Sequence, residues 1–73
     1  MNHYNYRVVR YNTNGEISFA LHEIYYNDND EIDAYSVEPV SPSADSINEL
    51  IKILDLMKDA IFKPHIDYKT LKK

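Results

Sequence analysis

The apolar positions of this 73-residue chain follow two rhythms. Over residues 4–12 and again over 17–26, apolar and aromatic side chains recur roughly every second position, in stretches rich in Tyr, Val and Ile. That period and composition predict β-strands. Asn14-Gly15 stands between them. It is a strong hairpin signal, because a type I′ turn needs positive φ at both central residues. The polar run Asn27-Asp28-Asn29-Asp30-Glu31 predicts a second turn, and residues 32–40 a third strand. Pro39 and Pro42 close that strand, since proline cannot donate to a ladder. From Ile47 the period becomes helical. Ser46-Ile47-Asn48-Glu49 fits a capping box, and Pro64 ends a helix over residues 47–63. The tail, 64–73, alternates Ile66 and Tyr68 and is expected to be partly docked and then frayed. The reading is one domain, residues 1–73, of the α+β class. It is a β-β-β-α unit: a three-stranded antiparallel sheet in order 1-2-3 with one C-terminal helix packed on one face.

A turn centred on Asn14-Gly15 fixes a register in which Val8 faces Leu21, Arg7 faces His22 and Tyr6 faces Glu23. Side chains alternate across a sheet, so Tyr6, Val8, Ile17, Phe19 and Leu21 share the face assigned to the helix. Pairing Tyr26 with Ile32 brings Tyr35 opposite Glu23 and Val37 opposite Leu21 on that same face. The other face carries Arg7, Val9, Tyr11, Ala20, His22, Ile24 and Tyr26. It is too apolar to be merely wetted and too polar for a monomer core. The apolar phase also changes after His22, which a β-bulge near His22-Glu23 would produce, and so would a strand half buried on both sides. In the helix, Ile47, Leu50, Ile51, Leu54, Met57 and Ile61 form one stripe. Ile53, Leu56 and Ala60 form a second, about 120° away at 100° per residue. Leu21, Leu54 and Val8 are expected among the most buried residues.

Composition narrows the class. The chain has no cysteine and one glycine, so neither a disulfide nor a thiolate zinc site can staple so small a core. No basic leader followed by an apolar run and no membrane-length stretch is visible, and a cytoplasmic location is the expectation. Residues 1–45 carry eight acids against Arg7 and Arg10, whereas 46–73 carry six lysines against four acids, for a net charge of −4. An acidic sheet half repels phosphate and argues against nucleic acid, despite seven tyrosines that could stack on bases.

Two rows could carry chemistry. Glu23 between Tyr6 and Tyr35 could be a carboxylate tuned by phenols and act as a general acid. Arg7, His22 and Ser36 form the matching row on the other face, but no oxyanion loop accompanies them. His3, His22 and His65 lack metal-ligand spacing, and the acidic turn has Ile32 where a calcium loop requires glycine. No cofactor or metal is expected.

Tyr4-Asn5-Tyr6-Arg7-Val8, His22-Glu23-Ile24-Tyr25-Tyr26, Glu38-Pro39-Val40, Pro42, Ser46, Glu49-Leu50, Met57, Ala60, Pro64 and Asp67-Tyr68 together resemble a family of small bacterial proteins of unknown function. That likeness implies no activity. At the level of topology, three strands followed by a capped helix at Ser46 are similar to HicB-type antitoxins, which bind a small toxin. The functional expectation is therefore a non-enzymatic protein–protein interaction module. It would be a homodimer, or an antitoxin-like partner of a protein with a basic surface. Val9, Tyr11, Ala20, Ile24 and Tyr26 on the sheet, or Ile53 and Leu56 on the helix, would supply the interface. Arg7, His22, Glu23, Tyr6 and Tyr35 are the candidate polar site. The alternatives are a nucleic-acid binder using the tyrosine-rich face and a small enzyme acting through Glu23 or His22.

Overall fold

The computed structural model describes residues 3–72. The N-terminal Met1-Asn2 and the tail's last residue, Lys73, lie outside the described residues. β1 (His3–Thr13) and β2 (Glu16–Tyr26) form a long hairpin. Its turn takes the expected conformation, with φ 55° at Asn14 and 92° at Gly15. The Asn12 side chain accepts from the Gly15 N–H at 2.9 Å and closes the turn. The hairpin register is the one the turn predicts: Val8 opposite Leu21, Arg7 opposite His22, Tyr6 opposite Glu23.

β3 (Ile32–Tyr35) pairs antiparallel with β2, which puts β2 between its two hairpin neighbours. The turn before it is built by Asn27. Its Oδ1 accepts from the Asn29 and Glu31 N–H groups at 2.9 and 3.1 Å, and Asp30 takes the left-handed conformation at φ 60°. Short amide and carboxylate side chains tolerate that geometry, so this turn dispenses with glycine. Tyr26 pairs with Ile32 as expected, but Tyr25 pairs with Ala34 and Ile24 with Tyr35. The irregularity lies between Tyr25 and Tyr26, not near His22-Glu23. One extra residue on β3 moves the rest of the paired strand, Ala34 and Tyr35, to the face opposite the expected one. Tyr35 consequently sits on the His22 face rather than beside Glu23. The regular strand also stops at Tyr35 instead of residue 40. Beyond it, Ser36 N–H donates to the Glu23 carbonyl and Val40 N–H to that of Leu21, both at 2.9 Å. Between these two anchors the chain bows outward, and Val37 is 86% exposed instead of facing Leu21.

α1 (Ile47–Ile61) starts at Ser46, whose Oγ accepts from the Glu49 N–H at 3.2 Å. It ends at Phe62, two residues before Pro64. The helix packs mainly on β1. Met57 and Ala60 form a core with Tyr6, and Leu21, Val40 and Ile53 pack against it. The seam is thus Ile53, Met57 and Ala60, which lies between the two stripes read from the sequence. Leu54 is a correction: it is 46% exposed, not core. Leu21 is only partly buried, whereas Val8 is buried as expected. Phe19 and Ile17, assigned to the same core, lie beyond the helix and are exposed.

The tail is ordered. β4 (Ile66–Asp67) pairs parallel with β1, Val9 beside Ile66, and α2 (Tyr68–Leu71) follows. The sheet is therefore mixed and four-stranded, in order β3-β2-β1-β4, where three antiparallel strands were expected. No helix among the described residues is long and apolar enough to cross a membrane.

Candidate functional site

Arg7 lies opposite His22 as the hairpin register predicts, on the sheet face opposite α1. Ser36, which the shifted register pairs with Glu23 instead of His22, still reaches the His22 ring. His22 lies at the middle of the sheet and is completely buried. Its Nδ1 is 2.9 Å from the Ser36 carbonyl oxygen and 3.2 Å from Ser36 Oγ. The carbonyl can only accept, so Nδ1 carries the proton. Nε2 then accepts from the Tyr11 hydroxyl. Ser36 Oγ in turn accepts from the Glu23 N–H at 3.2 Å. Both imidazole nitrogens and the serine hydroxyl are thus consumed in tying β3 and Tyr11 to β2. His22 with Tyr11 and Ser36 is a satisfied buried polar network, whereas Arg7 Nε, in the same row, is buried without a hydrogen-bond partner.

Aromatic rings close over it. Tyr68 of α2 lies 4.8 Å from Tyr11 and 6.4 Å from Tyr35 between ring centroids, and His22 lies 5.8 and 6.4 Å from those same two rings. The tail is therefore the cover of this face. Arg7 reinforces it from the side: one guanidinium nitrogen donates to the Pro64 carbonyl and the other to the Tyr26 hydroxyl at 3.3 Å. Tyr26 passes its own proton to Asn5 Oδ1 at 2.9 Å and stacks on His3. Arg10 and Asp67 add a 3.7 Å ion pair, both partly exposed and worth little.

Glu23 belongs to the other face. Tyr6 is opposite it, as expected, but its phenol partner is Tyr25, two residues along the same strand, rather than Tyr35. This hydrogen bond to the carboxylate, the largest cause, raises the Tyr25 pKa above its ordinary value of about 10. Burial raises Tyr6 and Tyr11, with Tyr4 and Glu23 adding to the first and Tyr68, Glu38 and Tyr35 to the second. The sign follows from linkage. A phenol whose folded pKa is raised contributes stability that is complete below about pH 10 and disappears as pH rises through the folded value. Urea midpoints should therefore be level at neutral pH and fall steeply above about pH 10. Tyr11→Phe should flatten that fall, because it removes one proton that unfolding would release. A midpoint that stays level into the alkaline range would contradict this assignment.

The residues expected at an interface separate into two groups. Val9 and Ile24 expose nothing, Tyr11, Ala20 and Tyr26 are half-buried, and Ile53 is packed into the core cluster. Leu56 is 54% exposed. What the sequence reading did not single out as surface is the first helix stripe: Ile47, Ile51, Leu54 and Ile61 are 72, 52, 46 and 59% exposed. The wide apolar arc of α1 was the available signal, but it did not say which part faced the sheet. Among the described residues no three His, Asp or Glu side chains converge as metal ligands would. Compared with models of known families, with curated proteins and with solved structures, the chain matches none.

Proposed function

We propose that this chain is a non-catalytic interaction module that pairs with a second copy of itself through the outer flank of α1. The observation that carries the reading is the stripe Ile47, Ile51, Leu54 and Ile61. Its spacing of four, three and seven keeps these side chains on one line of the helix, and all four are exposed. A continuous apolar line of this kind is costly in water and is the usual mark of a contact surface. A two-fold axis lets one such line cover itself, helix against helix. The polar groups point the same way. His22, the best-placed candidate for catalysis, has no surface at which to meet a substrate, and its ring nitrogens are engaged within the fold.

Sedimentation at micromolar concentration tests the proposal. The expected species has twice the mass of one chain. Ile51→Glu and Leu54→Glu should each give a folded monomer, because a buried unpaired charge is costly at the true interface. Val37→Glu, made on a comparably exposed side chain away from α1, should leave the dimer intact. A wild-type monomer at these concentrations would end the proposal.

A further inference from the structure

We propose that the notch between β1 and α1 binds an organic ammonium ion, with Tyr4 and Tyr6 supplying the ring surfaces and Asp59 the counter-charge. The notch has a volume of about 260 Å³ and is lined by Tyr4, Asn5, Tyr6, Leu56, Asp59 and Lys63. That is below the roughly 300–1,000 Å³ of pockets for drug-sized ligands, and it suits a single headgroup or one side chain. The Tyr4 and Tyr6 rings stand 85° apart with centroids separated by 6.2 Å. Two steeply inclined rings at that spacing can both lie within about 6 Å of one cation, the range over which a ring quadrupole attracts it. Tyr6 is locked into the core by Met57 and Ala60, so one wall is fixed before any ligand arrives. Tyr4, at 53% exposure, is the accessible wall, and its ring centroid also lies 5.7 Å from that of Tyr25.

The electrostatics favour a cation. Tyr25 donates to the Glu23 carboxylate, and the Glu23 charge acts on both Tyr6 and Tyr25. Burial is the larger cause of the raised Tyr6 pKa, and the Glu23 carboxylate adds a negative charge beside the rings that favours a positive ligand. Asp59 adds a carboxylate at the wall formed by the helix. Rings, Leu56 and few acceptors suit a bulky, weakly hydrated ammonium better than a compact, strongly hydrated one. Lys63 is the opposing group. It lines the same notch just beyond the end of α1 and places a competing ammonium there.

Titration of the full chain with tetramethylammonium chloride, followed by the ring proton resonances of the tyrosines, tests this against sodium chloride at equal ionic strength. The expected result is a saturable shift of Tyr4 and Tyr6 that sodium does not produce. Tyr4→Ala should weaken binding roughly three- to thirtyfold, the span of one cation–π contact. Tyr4→Phe should bind nearly as well, because the ring and not the hydroxyl does the work. Lys63→Gln should bind more tightly than wild type. Tyr4 is half-exposed, so these variants should keep the wild-type fold, which the dispersion of the Val9 and Ile24 resonances reports. The same titration with choline and with a trimethyllysine peptide distinguishes a free metabolite-type ammonium from a modified protein side chain. Tighter binding of either one identifies the source. Absence of a saturable shift with tetramethylammonium in both the wild type and Lys63→Gln would overturn the proposal, as would equal affinity of Tyr4→Ala and wild type.

Discussion

His22→Ala is expected to cost about 3–5 kcal/mol, the sum of a core cavity and of partners left unsatisfied. The imidazole is wholly buried, so its removal leaves a void under the Tyr11, Tyr35 and Tyr68 rings. It also strands the Tyr11 hydroxyl and the Ser36 carbonyl, both of which it satisfies. A domain of this length has roughly 4–11 kcal/mol in all, at about 0.05–0.15 kcal/mol per residue, so the loss is a large part of the total and the urea midpoint should fall sharply. Tyr11→Phe separates the two contributions. It keeps the ring and loses only the hydroxyl, and should cost about 1–3 kcal/mol. His65→Ala is the control, since His65 is exposed and makes one ring contact with Phe19; it should stay within about 0.5 kcal/mol of wild type. Equilibrium urea unfolding of the three variants decides the matter. An intact His22→Ala midpoint would mean that the network is decoration on a fold held elsewhere.

The half of the fold that was legible in the sequence is the half specified locally. Asn14-Gly15 demanded positive φ at two consecutive residues, and that demand alone set eleven residue pairs of β1 and β2. Ser46 and Glu49 likewise marked the helix start by a hydrogen bond that the spacing makes nearly unavoidable. Arg7 opposite His22 followed from the first register, whereas Ser36 was placed beside His22 by the second, which is shifted by one residue. Ser36 pairs with Glu23 and keeps its contact with His22 through its carbonyl oxygen.

The other half depended on long-range choices. The second turn fixed its last pair, Tyr26 with Ile32, but nothing in Asn27 to Glu31 announced the extra residue on β3. That single insertion carried Tyr35 from Glu23 to His22 and made it part of the aromatic cover, leaving Glu23 with Tyr6 and Tyr25. The tail was similarly ambiguous. Ile66, Tyr68 and Leu71 could have lain on the helix flank, and the decisive contacts are instead Val9 with Ile66 and Tyr11 with Tyr68. Once the tail covers the second sheet face, the apolar surface that needs explaining moves to α1.

The phase of that helix supports the second large prediction. Met57→Ala should cost about 2–5 kcal/mol and Leu54→Ala no more than about 1 kcal/mol, although the two residues are neighbours on one apolar arc. Met57 is buried against Tyr6 and Ala60, with Leu21, Val40 and Ile53 around them, so shortening it opens a cavity in the core between helix and sheet. Leu54 points about 60° further round the helix, at 100° per residue, and is 46% exposed. Ala60 gives the complementary test. It exposes nothing, and Ala60→Leu should overpack the same contact at about 1–3 kcal/mol. The two alanine variants should also differ in how their stability depends on concentration. A contact made only in a dimer contributes by mass action and fades on dilution. The loss in Leu54→Ala should therefore grow with protein concentration, while that in Met57→Ala should be the same at every concentration. Urea midpoints measured across a hundredfold range of dilution would show the contrast. If Leu54→Ala is the more damaging of the two in the most dilute samples, the helix is turned the other way on the sheet, and the stripe assigned to a second copy is the core.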